Sequence, residues 1–410
     1  MSARPLEGLR ILSVEQMISL PHATQLLALL GAEVVKVEPL SGEAGRYGRP
    51  TVTESDRSET GSTFVRNNLG KASLSIDLKR ERGRELFLDL AAGVDAVAEN
   101  FRPGTADKLG IGFEAVRSRN PSVIYLSISG FGNCADPPSP YRERAAYAPV
   151  VEAMAGLYEY ARESDAPPRL ASAGALGDTG PALYAVIGLL SALHERARTG
   201  RGCHVDVAMY DAMIAIADVV HLASMGVEPN RATRGIGILD GFRAKDGWFT
   251  VEVVREPHFP HFCKAVGHSE WIDDPRLASR AGWAAHLESV IRPGVEAWAK
   301  GLTKHEAAAV LARHGVAAGP VNTAADIMGD PHVAERGLVH RFDVDGRGEP
   351  VDVVGNPLRF LTASPGASFA EETFPARWPR LGEQTQRVLE DWLELSADAI
   401  AELREEEIVR

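Results

Sequence analysis

The segment that most constrains this chain is an apolar run opened by Gly177-Asp178-Thr179-Gly180-Pro181. From Ala182 to Leu193 the run is apolar on every face, the pattern of a helix buried on all sides. Charge returns only at His194-Glu195-Arg196, and Gly200 supplies the stop. Upstream, Leu170 to Leu176 is small and apolar and holds no other acid. Asp178 is therefore a single carboxylate at the mouth of a buried helix, between glycines that allow a substrate close approach to the backbone. Asp is also a favoured N-cap, and Pro181 suits a first helical turn. The two roles are compatible. A helix N-terminus favours the anion, an ionised carboxylate is what a covalent nucleophile needs, and the flanking glycine N–H groups could hold an oxyanion.

At 410 residues the chain has room for two or three domains of roughly 100–200 residues each. The three cysteines, Cys134, Cys203 and Cys263, form no motif, which argues for a reducing, cytoplasmic setting. Met1 to Gly8 is short and polar, so no secretory leader is expected. The apolar runs fall short of the roughly 20 residues of a membrane span. The net charge of −12 and the absence of a basic cluster argue against nucleic acid as a partner. An anionic ligand would need a local group of Lys and Arg.

Strands and helices alternate from the start. Leu9 to Val14, Glu33 to Glu38, Ser73 to Leu78, Asp95 to Glu99 and Val123 to Ile128 read as strands. Pro21 to Leu30, Lys79 to Ala92 and Phe113 to Arg119 read as helices, which gives an α/β fold with a parallel sheet. The first turn has no G-x-G-x-x-G, so the dinucleotide fingerprint is missing. Gly42 to Thr63 reads as a long surface loop and a candidate lid. Lys79, Asn100, Arg102 and Lys108 fall at or just past strand ends, where open α/β sheets bind ligands, and form a candidate phosphate-binding set. Alone, each cation would read as a solvated surface charge.

After the Asp178 helix, Val205, Val207 and Met209 alternate as a strand, and Tyr210 to Met225 reads as one helix. Phe242 to Thr250 reads as a hairpin with a tight Asp-Gly turn. Helices follow near 259–266, 286–302 and 304–314, then a strand pair around 342–354 and a terminal helix over 381–393. These readings divide the chain into a large domain over 1–224, a smaller α+β domain over 225–330, and a return segment over 331–410. His258-x-x-His261 with Cys263 carries an intervening Pro260 and has no second cluster, which disfavours a metal site. His194 and His204 read as structural, and Cys203 as buried and inert.

Together these residues resemble CoA-transferase family III, the group that includes formyl-CoA transferase, carnitine-pathway CoA-transferases and α-methylacyl-CoA racemase. The resemblance runs from Pro5 to the C-terminus. It rests on Leu6-Glu7-Gly8-Leu9-Arg10-Ile11-Leu12, Leu30-Gly31-Ala32-Glu33-Val34-Val35-Lys36-Val37-Glu38 and Ser75-Ile76-Asp77-Leu78-Lys79. More specific are Glu99-Asn100-Phe101-Arg102-Pro103-Gly104, Ala175-Leu176-Gly177-Asp178 and Thr199-Gly200-Arg201-Gly202. It implies a Rossmann-like large domain built from both chain ends, a smaller domain between them, and an interlocked homodimer. It implies acyl-CoA and a small carboxylic acid as substrates, with no permanently bound cofactor, no metal and no membrane. CoA would lie along Ile18, Ser19, Ile76, Asp77, Leu78, Lys79, Asn100, Phe101, Arg102, Lys108 and Tyr147. Asp178 would be the catalytic nucleophile, forming a mixed anhydride and then an aspartyl-CoA thioester.

Some positions depart from the family pattern. Pro39 follows Glu38 where an Arg is frequent, a Gln near Ile18-Ser19 is missing, and Arg234-Gly235-Ile236-Gly237 is only a partial echo of a glycine-rich loop. These departures weigh against oxalate or formate as substrates. Tyr147-Ala148 stands where racemases carry a His-Asp pair, which removes one of the two bases racemisation needs. Racemase or isomerase activity is the second reading. A nucleotide-binding module without chemistry is a third, and turnover of any acyl-CoA would separate it from the enzymes.

Overall fold

The computed structural model describes residues 4–53, 58–133, 137–162, 166–170, 174–226, 237–344, 349–360, 375 and 377–410. The chain divides into two compact units. One comprises Met1–Leu157, Leu170–Asp218 and Arg336–Arg410; the other comprises Tyr158–Arg169 and Val219–Glu335.

The first unit is built on a parallel sheet of six strands: β1 (Arg10–Val14), β2 (Glu33–Glu38), β3 (Ala72–Ser75), β4 (Ala96–Glu99), β5 (Ile124–Ser129) and β6 (Cys203–Ala208). Their order across the sheet is β3-β2-β1-β4-β5-β6, with every pairing parallel. The helices that bear on the site are α1 (Ser19–Leu29), α2 (Ser62–Asn67), α3 (Ala148–Met154), α4 (Leu176–Thr199) and α5 (Met209–Ile216). Ile11 pairs with Val34 and Ala96, and Leu12 with Val35 and Val97. Neighbouring residues along a strand point to opposite faces. Ile11, Val34, Ala96, Ile124 and Leu126 pack against Leu20, Ala23 and Leu27 of α1 and Ala182, Ala185 and Leu189 of α4. Leu12, Val35, Leu74, Val97 and Tyr125 pack against the helices Glu81–Ala92, Thr385–Leu393 and Ala397–Glu405. Both faces are covered, which is why the strands read as nearly continuous apolar runs.

The end of the chain closes this core. Asp77 donates its N–H to the Ile408 carbonyl at 2.9 Å, and Ile76 bridges Val409. That contact draws residues 76–80 out of the sheet, so the strand expected to reach Leu78 stops at Ser75. The second unit has its own three-stranded antiparallel sheet and an aromatic core around Phe242, Phe249, Phe262, Trp271 and Trp283.

Several expectations are corrected. Gly42 to Thr63 is not a surface lid. It carries a tight turn at Ala44–Tyr47 and a hairpin of Thr51–Thr53 with Glu59–Gly61, and Arg46 is driven inward onto Glu38; residues 54–57 lie outside the described residues. The helix expected over Tyr210 to Met225 is two helices, because Ala217 is extended at φ −83° and ψ 134°, where the two units divide. The hairpin at Phe242 turns through four residues, 244–247, rather than through a two-residue Asp-Gly turn. Asp246 is used instead to accept the Lys304 N–H at 2.7 Å. Ala397–Glu405 is a helix the sequence reading missed.

The largest correction concerns α4. It is long and apolar enough to cross a membrane by length and composition. Among the described residues only one face is buried, against α1, α3, α5 and the sheet. Leu183, Tyr184 and Ile187 are 52%, 39% and 59% exposed.

Candidate active site

α4 starts earlier than the sequence suggests. Ala175 is its cap, and Asp178 is the third helical residue rather than the cap. The Asp178 and Thr179 N–H groups both donate to the Ala175 carbonyl, at 3.0 and 2.8 Å. The Gly177 N–H donates to Glu152 Oε1 at 2.7 Å, so this glycine does not present a free donor to an oxyanion. A side chain at Gly177 would collide with the Ala148 carbonyl at 2.6 Å and Val151 Cγ2 at 2.9 Å, so the turn lies directly against α3. At Gly180 a Cβ would meet Met213 Cε and Ile216 Cδ1 of α5, both at 2.7 Å.

Asp178 is half-buried. Burial pushes its carboxyl up, the Glu152 charge adds to this, and Arg66 opposes it; the result is about 6. The helix N-terminus was expected to favour the anion, but desolvation and a second acid outweigh that field. Glu152, at 3% exposed, and Arg66, an exposed residue of α2, are the two groups the sequence reading missed. The available signal for Glu152 was an acid amid the apolar Val150-Val151 and Ala153-Met154-Ala155.

α4 leads into β6 and so begins at the carboxyl edge of the sheet, packed on α1, β5 and β6; on the same edge lie the ends of β1 and β4. Strand order reverses between these two strands, which opens a crevice above them. Asn100 ties the two loops together. It donates to the Gln16 carbonyl at 2.9 Å and to Ser19 Oγ at 3.2 Å, and accepts the Gln16 N–H at 2.9 Å. Ser19 is buried and Ile18 half-buried, so Asn100 and Ser19 are brought together but spend their polar atoms on each other. Between them Met17 takes φ 63°, a strained conformation for a side chain without special compensation. Its N–H is held by Glu43 Oε2 at 3.2 Å. On the β4 side, Glu99 accepts the Phe101 N–H at 2.7 Å; burial pushes its carboxyl up to about 7.

Beneath these loops lies a closed ionic network. Lys71 donates to Glu15 at 2.6 Å and to the Pro21 carbonyl at 2.8 Å; Lys36 donates to Glu43 at 3.0 Å; both lysines reach Asn68 Oδ1 at 3.0 Å. Arg46 grips Glu38 through two bonds of 2.7 and 2.8 Å. All six charged residues are nearly fully buried. Burial pulls the Lys71 ammonium down to about 8 against the pull of Glu15. Burial would raise Glu38, but Arg46, Lys36 and Ser73 hold it below its usual value. The sequence signal was Val-Val-Lys-Val-Glu, charge inside an apolar strand.

The remaining expected residues follow the same edge. Ile76 is buried, Asp77 and Leu78 are half-buried and Lys79 is exposed, just past β3. Arg102 and Lys108 are exposed past β4, and Phe101 packs on the core. β3 and β4 are three strand spacings apart, about 14 Å. Tyr147 caps α3 beside the Asp178 turn and is 67% exposed. Cys203 was expected to be buried; it is exposed, because β6 is the outermost strand, and partial burial with Glu195 nearby raises its thiol. His204 Nε2 lies 2.6 Å from Ser127 Oγ. His261 engages the His314 carbonyl at 3.1 Å, and burial raises the Cys263 thiol to about 12. No group of three His, Cys, Asp or Glu placed to hold a metal occurs among the described residues. Cys134, residues 171–173 and Arg234-Gly235-Ile236 lie outside the described residues. A cavity of about 720 Å³ near Gly31, Glu33 and Asp95 sits at the opposite, amino edge of the sheet and holds none of these groups.

A doubly covered parallel sheet, with a half-buried carboxylate and exposed cations along its carboxyl edge, defines an α/β enzyme class that handles anionic ligands. The chain belongs to CoA-transferase family III: the family model matches residues 6–385. It is a CoA-transferase. It is 33% identical to succinyl-CoA:mesaconate CoA-transferase of Haloarcula hispanica, over 94% of this chain and 96% of that one. It is 31% identical to formyl-CoA:oxalate CoA-transferase of Escherichia coli O6:H1, over 98% of each. Among solved structures, a CAIB/BAIF family protein from Brucella suis matches with a TM-score of 0.82 at 31% identity, covering 95% of this chain and 100% of that one.

Proposed function

We propose that Asp178 carries CoA from an acyl-CoA thioester to a carboxylic acid. A carboxylate oxygen attacks the acyl carbonyl carbon, the C–S bond breaks, and CoA leaves as the thiolate. The thiolate then attacks the aspartyl carbonyl of the mixed anhydride and expels the donor acid, leaving an aspartyl-CoA thioester. The acceptor carboxylate attacks this thioester and displaces the thiolate again. The thiolate finally attacks the acceptor's own carbonyl and frees Asp178. No resident cofactor enters these steps. The observation that carries the reading is the half-buried carboxylate on the first turn of α4, at the sheet edge where ligands bind.

CoA would span the edge. Lys79, Arg102 and Lys108 would meet its phosphates, Ile76 to Leu78 and Phe101 would line it, and Tyr147 would stand near the thioester. Ile18, Ser19 and Asn100 would contribute mainly backbone and shape. The strand order supports a Rossmann-like large domain assembled from 1–224 and 331–410, with 225–330 as the smaller domain. The relative from Haloarcula hispanica is named for a four-carbon acyl donor and a dicarboxylic acceptor, so dicarboxylic acids are the first substrates to test. A carboxylate approaching two acids, Asp178 and Glu152, needs a cation, and Arg66, whose charge acts on Asp178, would supply it. The open apolar face of α4 and the free edge of β6 fit coverage by a second copy in an interlocked homodimer acting in the cytoplasm. Racemisation is disfavoured because Ala148 offers no base and a tyrosine is a poor base near neutral pH.

The test is a panel of acyl-CoA donors against acid acceptors, with mass detection of new thioesters. The reading predicts a new acyl-CoA in at least one pairing. Rapid α-deuterium uptake by a 2-methylacyl-CoA in deuterium oxide, with no transfer to any acid, would favour the racemase instead.

A further inference from the structure

We propose that Glu152 is a positioning residue for Asp178: its buried carboxylate anchors the first turn of α4 through the Gly177 N–H and places a second negative charge beside the nucleophile. The inference rests on the reading of Asp178 as nucleophile. Glu152 lies on the buried face of α3 with Ala148 and Val151, where an acid is costly. A short, charge-assisted bond of 2.7 Å to Gly177 offsets part of that cost. The absence of a side chain at Gly177 is what lets α3 come this close. A glutamine could accept the same N–H without burying a charge. The acid in addition sets its charge next to the Gly177–Asp178 turn, which is the second use proposed for it.

That use is electrostatic. The charged groups acting on Asp178 are Glu152 of α3, which opposes its ionisation, and Arg66 of α2, which favours it. α5 presents the apolar Met213 and Ile216 at Gly180. Arg66 also acts on His22 of α1, whose imidazole burial and that charge keep below its usual value. Glu152 thus makes Asp178 more basic while leaving it largely ionised at neutral pH. A more basic carboxylate is the stronger nucleophile, provided it is ionised when the thioester arrives.

The experiment compares wild type, Glu152→Gln and Glu152→Ala in the intact enzyme, by kcat/KM against pH and by hydroxylamine trapping on Asp178. Glu152→Gln keeps the anchor and removes the charge. It should move the acid limb of the profile down by about one unit and lower the plateau rate by about three-fold. Glu152→Ala also removes the anchor and should lower kcat by ten-fold or more, with little change in KM for acyl-CoA. A Glu152→Gln profile that superimposes on wild type would overturn the proposal, even if Glu152→Ala fails to fold. If wild type itself yields no trapped adduct, the nucleophile reading fails instead, and the two failures are separate.

Discussion

The buried charges under the β1 and β2 loops and those at the start of α4 lie along one edge of one sheet, yet they are composed in opposite ways. The first set holds three acids, Glu15, Glu38 and Glu43, and three bases, Lys36, Lys71 and Arg46, each with a partner within hydrogen-bond distance. The second brings two acids, Asp178 and Glu152, to one helix turn, and of the charges acting on Asp178, Glu152 raises its carboxyl while Arg66 lowers it. A balanced, saturated network fixes geometry. It holds Met17 in its strained turn and sets the loop that Asn100 joins to β4. A carboxyl pushed up by burial and a neighbouring acid stores free energy in its charged form, and such a group is where chemistry can happen.

Removing the carboxylate is the sharpest way to break this contrast. Asp178→Asn should abolish turnover, by at least about a thousand-fold, or roughly 4 kcal/mol in the barrier. It should not weaken the fold. The folded carboxyl ionises near 6 and the unfolded one near the usual 3.8, so the native state loses stability as pH rises through that window. Above it the deficit is constant, at most about 3 kcal/mol. Asp178→Asn should therefore match wild type at pH 4 and exceed it at pH 8 in urea unfolding. A variant less stable at both values would contradict the account.

The converse change is Lys71→Met in the balanced network. It removes the nearest cation from buried Glu15, leaving the Thr24 hydroxyl at 2.7 Å and Lys36 at 3.9 Å, and should cost about 3–5 kcal/mol, read as a lower urea midpoint, with activity lost only in proportion to unfolding. Smaller effects are expected where charge is exposed. Alanine at Lys79, Arg102 or Lys108 should weaken CoA binding about ten-fold each by calorimetry, because a charge-assisted contact contributes about 1.5–3 kcal/mol. No change in all three would remove this site. Arg66→Ala should raise KM for a dicarboxylic acceptor several-fold and leave that for acyl-CoA unchanged; equal effects on both substrates would remove Arg66 from acid recognition.

Much of this edge was legible in the chain itself. Glu33 to Glu38 and Phe113 to Arg119 fall where the apolar pattern puts them, because a strand or helix buried on one layer writes its period locally. Asp178 stood out because nothing else near it was charged. Glu152 did not, since its partner is the Gly177 backbone, 25 residues away in sequence, and backbone donors leave no mark in composition. The ionic network announced itself only as charge inside an apolar strand, because its pairing is long-range: Lys36, Glu43 and Lys71 meet only after three strands align. The apolar periphery of α4 was read as burial within one chain, although Leu183 and Ile187 face outward in it. Sequence records that a face is apolar, and not whether the rest of the chain covers it.

The most direct measurement is trapping of the acyl-enzyme. Wild-type enzyme, incubated with an acyl-CoA it turns over and quenched with hydroxylamine, should carry a hydroxamate on the peptide containing Asp178, detected by mass. Asp178→Asn should carry none. Turnover of CoA with no modification of that peptide, or with the adduct on another residue, would contradict the central claim.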